Sequence, residues 1–77
     1  MVSVDQQLDC RGMCCPMPIV KISRAMKELA AGQCLEVRAS DDAFSADLEA
    51  WLSTRSDKLI SLEDAGGEQR AVIERGA

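Results

Sequence analysis

Along the 77 residues the apolar side chains recur at intervals of two in some stretches and of three and four in others, and each change of interval marks an element. Gln7-Leu8-Asp9-Cys10 roughly alternates and Arg11-Gly12 breaks the alternation, which predicts a first strand ending near Cys10. Beyond Cys15, Pro16 and Pro18 come Ile19, Ile22, Met26 and Leu29, with Lys21, Arg24, Lys27 and Glu28 between them. That spacing predicts an amphipathic helix from about Pro16 to Ala31. Proline is tolerated in its first turn, where the missing N–H has no intrahelical partner, and Gly32 supplies a stop. Cys34 to Ala39 alternates again, with Leu35, Val37 and Ala39 on one face and Cys34, Glu36 and Arg38 on the other, as in a half-buried strand. Ser40-Asp41-Asp42 offers N-cap chemistry ahead of Phe44, Leu48, Trp51 and Leu52, predicting a second helix to about Thr54 with Trp51 in the core. Lys58 to Glu63 and Arg70 to Glu74 flank the turn-rich Asp64-Ala65-Gly66-Gly67-Glu68 and read as a hairpin.

The predicted order is strand, helix, strand, helix, strand, strand. A two-layer α/β sandwich satisfies it, with both helices on one face of a small four-stranded mixed sheet and a polar opposite face. Half this length could not bury enough apolar surface to offset the entropy lost on folding, so residues 1–77 are expected to form one domain. No internal repeat or linker interrupts them.

Composition narrows the function. Hydrophobic residues are 47% and charged residues 29%, the balance of a globular chain. The net charge is −4 and the pI about 4.6, which argues against nucleic acid or an anionic membrane as a direct partner and favours protein partners with basic faces. The first residues lack a basic region followed by an apolar run, so a cytoplasmic location is expected, and the four cysteines are expected as thiols. There is no His, which removes Cys-His pairs, most catalytic zinc sites and the usual general base. Chemistry therefore falls to cysteine.

Cys15 closes a loop that opens directly into the first predicted helix, where unpaired N–H groups and the helix dipole favour a thiolate. Arg11, Lys21 and Arg24 add positive charge nearby in sequence. Set against this, most unpaired cysteines are simply small buried hydrophobes. Cys10 ends a strand and Cys34 starts one, so both read as structural. Cys10, Cys14 and Cys15 form a C-x3-C-C array, a spacing that matches no established metal motif, and no metal or cofactor is expected. Asp9 suits a side chain that accepts hydrogen bonds from loop N–H groups.

Leu8-Asp9-Cys10-Arg11-Gly12-Met13-Cys14-Cys15-Pro16-Met17-Pro18-Ile19 resembles the signature of the TusA/SirA-like sulfur carriers, whose core is Cys-Pro-x-Pro. The resemblance runs on through Gly32, Leu35-Glu36-Val37, Asp41, Phe44, Asp47, Trp51 and Leu59 to Glu63. It implies that Cys15 accepts sulfane sulfur as a persulfide from a donor (a cysteine desulfurase, a rhodanese or a DsrE-type protein) and passes it to an acceptor protein. The chain would then be a monomeric carrier within a relay rather than a stand-alone catalyst. Asp9, Arg11, Gly12, Pro16, Pro18 and Arg24 would support the motif, with Gly12 permitting a tight approach of the loop. Phe44, Asp47 and Trp51 look most like members associated with oxidative sulfur metabolism.

The sequence departs from the family pattern at Cys14, where no thiol is required, and at Ser23, where Lys or Arg is common. It departs again at Asp42-Ala43, where Pro-Gly is common, and at Leu52. Cys14 opens two alternatives: a thiol redox or soft-metal role shared with Cys15, or attack on a Cys15 persulfide. A module that merely docks a partner through the loop is a third.

Overall fold

The computed structural model describes residues 4–14 and 16–76. Its elements are β1 (Gln6–Cys10), α1 (Met17–Met26), β2 (Cys34–Ala39), α2 (Phe44–Leu52), β3 (Lys58–Ala65) and β4 (Glu68–Glu74). The sheet runs β1-β2-β4-β3, with β1 parallel to β2 and the other pairs antiparallel. A parallel pair needs a long crossover, which α1 provides. An antiparallel pair can close in two residues, and Gly66-Gly67, with φ of 63° and 86°, closes β3 to β4 as a type I′ turn requires.

Strand pairing sets Leu35, Val37 and Ala39 opposite Ile73, Ala71 and Gln69 of β4, and Leu8 and Cys10 beside Val37 and Ala39. This face carries the core. Ile22, Met26 and Leu29 pack on it from the first helical segment, Phe44 and Leu48 from the second. Burial of these side chains drives the two layers together, at about 1.5–3 kcal/mol for each large one. The opposite face bears Gln7, Asp9, Glu36, Arg38 and Arg70. It is laced by ion pairs between Arg38 and Glu68 (2.7 Å), Arg11 and Glu68 (3.4 Å), and Arg70 and Glu63 (3.5 Å). The two-layer sandwich is thus the fold predicted from the hydrophobic pattern.

The boundaries differ from the prediction where distant residues intervene. Helix α1 ends at Met26, not Ala31. Glu28 and Leu29 bond back only three residues, to the carbonyls of Ala25 and Met26, and the Arg75 guanidinium donates to the carbonyls of Met26 and Leu29. Leu29 still reaches the core, so the helical spacing outlasts the helix. Gly32 lies in a later turn, where its N–H donates to the Arg75 carbonyl at 2.8 Å.

Helix α2 begins behind Ala43, which has no side-chain acceptor. Asp41 instead takes the Ala43 N–H on its carboxylate at 3.2 Å, and Ser40 is engaged elsewhere. Trp51 packs against the core, as expected, but is only half-buried. The terminal hairpin is longer than expected because pairing continues to Ala65 and Glu68.

Candidate functional site at the entry to the first helix

The motif loop springs from β1, whose last residue, Cys10, is fully buried and fixes the loop's base. Met13 N–H donates to the Cys10 carbonyl at 3.2 Å, closing a four-residue turn with Gly12 in its third position at φ +82°. That angle selects glycine. A Cβ there would meet nothing within 4 Å, so backbone conformation, not a tight approach of the loop, is what requires the residue.

Asp9 sets the start of the turn. One carboxylate oxygen accepts from the Arg11 backbone N–H at 3.0 Å and from Arg11 Nε at 2.9 Å, and the other accepts from Arg11 Nη2 at 2.9 Å. These hydrogen bonds from the Arg11 side chain, then its backbone, hold the Asp9 carboxyl far below the usual carboxylate range. Arg11 in turn is held above its ordinary value, first by the hydrogen bond to Asp9. With Glu68 also 3.4 Å away, the Arg11 charge is balanced where it stands.

The far side of the loop is tied to the β2–α2 connection, because Gly12 N–H donates to Ser40 Oγ at 2.8 Å. Helix entry follows: Met17 N–H donates to the Cys14 carbonyl at 3.0 Å, Pro16 takes the N-cap position, and Val20 N–H donates to the Pro16 carbonyl at 3.2 Å. Pro18 is the second helical residue, where no N–H is needed, and it is buried. Pro16 and Cys14 are exposed. So is Met17, an unusual apolar side chain to leave at 45% exposure.

Asp9, Arg11, Gly12, Cys14, Pro16 and Pro18 therefore all belong to one loop and helix entry, while Cys15 lies outside the described residues. Arg24 stands apart, exposed on the outer side of α1.

Cys10, Cys14 and Cys34 are free thiols. Burial pushes the thiols of Cys10 and Cys34 above their ordinary value, which keeps both protonated at neutral pH and unreactive. Cys34 is covered by the incoming chain: Asp5 N–H donates to the Cys34 carbonyl at 3.0 Å, and Cys34 N–H donates to the Asp5 carboxylate at 2.8 Å. Among the described residues no three His, Cys, Asp or Glu side chains come together to hold a metal ion.

Two residues at the site were not found in the sequence. Ser40 reads there as a helix cap and Glu68 as part of a turn. Their partners, Gly12, Arg11 and Arg38, are 28 to 57 positions away, so no local pattern signals the pairing.

Comparison with known proteins agrees with this geometry. Residues 6–75 match the family model described as Sulfurtransferase TusA. YrkI of Bacillus subtilis (strain 168), named as a sulfur carrier protein, is 42% identical over 72 residues, which is 94% of this chain and 96% of that protein. The sulfur carrier protein TusA of Allochromatium vinosum is 29% identical over 97% of this chain and 99% of its own. YrkF of Bacillus subtilis, also named as a sulfur carrier protein, is 42% identical over 90% of this chain, but the match spans only 37% of YrkF. The crystal structure of a SirA-like protein from Desulfitobacterium hafniense shares the fold, with a TM-score of 0.72 at 23% identity over 94% of this chain and 99% of that one. With a family model matched from the first strand through the last, the chain belongs to the TusA family of sulfurtransferases.

Proposed function

We propose that the protein is a sulfur carrier that holds sulfane sulfur as a persulfide on Cys15. The observation that carries this reading is the braced loop. Asp9, Gly12 and Ser40 fix its course, and the residues flanking Cys15, Cys14 and Pro16, are both exposed at the N-terminus of α1. A cysteine that precedes the N-cap residue of a helix lies toward the positive end of the helix dipole, which favours its charged form.

Transfer then needs no oxidant. The Cys15 thiolate attacks the outer sulfur of a donor persulfide, the donor S–S bond breaks, and the donor cysteine leaves as a thiolate while a new S–S bond forms on Cys15. Handing the sulfur on is the same step in reverse toward an acceptor thiolate. The donor is a persulfide-bearing protein such as a cysteine desulfurase, a rhodanese or a DsrE-type protein, and the acceptor is another protein thiol. The three free cysteines support a reducing, cytoplasmic setting.

Cys14 favours a second step at the same place. Exposed and adjacent in the chain, its thiolate can attack the inner sulfur of a Cys15 persulfide, expelling hydrosulfide and joining the two cysteines.

Intact-protein mass spectrometry after exposure to inorganic polysulfide tests both readings. Wild type and Cys14→Ser should each gain a reductant-labile sulfur atom, and Cys15→Ser should gain none. Equal loading of Cys15→Ser would overturn the assignment. If Cys14 discharges the persulfide, the loaded form of Cys14→Ser should outlast that of wild type.

A further inference from the structure

A shallow groove starts at Pro16, next to the sulfur-bearing residue in the chain, and runs along α1 to α2. Pro16, Ile19, Val20, Ser23 and Trp51 line it, with Arg24 and Lys27 among the lining residues as its basic groups. Ile19, Val20 and Trp51 are half-buried: Ile19 and Trp51 pack against the core, and each leaves part of an apolar side chain open to the groove. The Arg55 guanidinium lies 4.2 Å from the centroid of the Trp51 ring and holds the indole in place, while its own charge is paired with Asp57 at 2.6 Å. The floor is therefore apolar.

Its charge runs against that of the whole molecule. The chain carries thirteen carboxylates and nine cationic side chains. Arg11, Arg38, Arg55 and Arg70 each sit in an ion pair, and Arg75 is committed to backbone carbonyls. Arg24 is the one arginine among the described residues with neither kind of partner. Lys21 and Lys27, each within one helical turn of Arg24, are likewise without a carboxylate partner among the described residues. Asp47, one turn before Trp51, does not line the groove. The groove is thus lined by two cations and no carboxylate, while Glu28 lies on the other flank of α1 with Lys21 and Arg24.

Resting on the carrier reading, we infer that this groove is the docking surface for the protein that exchanges sulfur with Cys15, and that it takes an extended acidic segment. One or two aliphatic side chains of the segment sit between Ile19, Val20 and Trp51, and its Asp or Glu residues meet Arg24 and Lys27. This reverses the expectation from net charge, which favoured partners with basic faces. Charge on the rim sets partner choice and encounter rate, and the apolar floor supplies the contact area. Continuity with Pro16 brings the partner's cysteine to the loop.

Trp51 is the sole tryptophan and lies in the groove, so its fluorescence reports occupancy directly. The probes are two synthetic peptides free of aromatic residues, one with Leu and Ile flanked by Glu and Asp, the other identical but with Lys in place of each acid. The acidic peptide should shift Trp51 emission saturably at low salt, and the basic peptide should not. The double variant Arg24→Glu, Lys27→Glu should weaken the acidic peptide about tenfold and admit the basic one. Because both side chains are exposed, that variant should fold, and Ser23→Glu provides an independent obstruction at the groove's centre. Equal response to both peptides, or an undiminished response in both variants, overturns the inference. Polysulfide loading of Cys15 in Ser23→Glu, which keeps Arg24 in place, separates the two claims. Normal loading with lost peptide response supports the groove, whereas wild type that binds peptide but never loads strikes only the carrier reading.

Discussion

Cysteine chemistry in this chain is partitioned by burial. Cys10 and Cys34 are fully or nearly fully enclosed, and desolvation raises both thiols, whereas Cys14 is exposed. In a Cys15→Ser background, iodoacetamide at neutral pH should therefore label Cys14 alone, with Cys10 and Cys34 reacting only once denaturant is added; peptide mass mapping reads the result. Early labelling of Cys10 would contradict its place under the motif loop. Gly12 is the complementary case, a residue needed for its backbone. Gly12→Ala should cost about 1 kcal/mol in urea unfolding, with Gly12→Asn milder, because the space for a Cβ exists and only the positive φ resists it. The sequence already pointed to Cys10 and Cys34 as structural, from their places at strand ends. It could not separate the two reasons for a glycine, since both leave the same letter.

At the scale of elements, order and type follow from local periodicity, while the ends depend on partners far along the chain. Helix α1 shows this most clearly: its apolar spacing persists to Leu29, yet its last carbonyls are taken by Arg75, 46 and 49 positions away. A lone arginine near a C-terminus carries no sign of such a role. Replacing it tests whether the cap matters. Arg75→Met should leave the Met26 and Leu29 carbonyls without their charged donor and cost about 1.5–3 kcal/mol, with Arg75→Lys recovering part of it. Amide exchange should speed up most over residues 26–33, where Gly32 and Gln33 also bond to the Arg75 backbone. Uniform loss of protection across the sheet would show instead that Arg75 acts on the whole fold. The motif loop follows the same rule: acceptance of a loop N–H by Asp9 was legible from sequence, and the pairing of Asp9 with the Arg11 side chain and the brace to Ser40 were not.

For the whole molecule, the sum of charges was legible and their placement was not, and placement decides how stability responds to pH. With no His, the side chains leave the interval between carboxylates and thiols empty of titration. On the acid side, Asp9 and Glu68 are held below their ordinary values by Arg11 and Arg38. Asp57 is held low as well: its burial works against the charged form but is outweighed by the Gly76 N–H and Arg55. A carboxylate depressed by folding binds fewer protons in the native chain than in the unfolded one. Its stabilisation is thus present above the ordinary values of 3.8 for Asp and 4.5 for Glu, and is lost as pH falls through the depressed ones. On the alkaline side the sign reverses. Cys10 and Cys34 keep their protons beyond the ordinary 9.0, so their contribution is present below that value and drains away as pH rises past it. Urea midpoints should therefore stay level from about pH 5 to about pH 9 and fall on both sides. Asp57→Asn should flatten the acid limb and Cys34→Ala the alkaline one, each leaving the other limb unchanged. A midpoint that climbed on acidification below about pH 4 would mean that these ion pairs strain the native state, because only carboxylates raised by folding produce that slope.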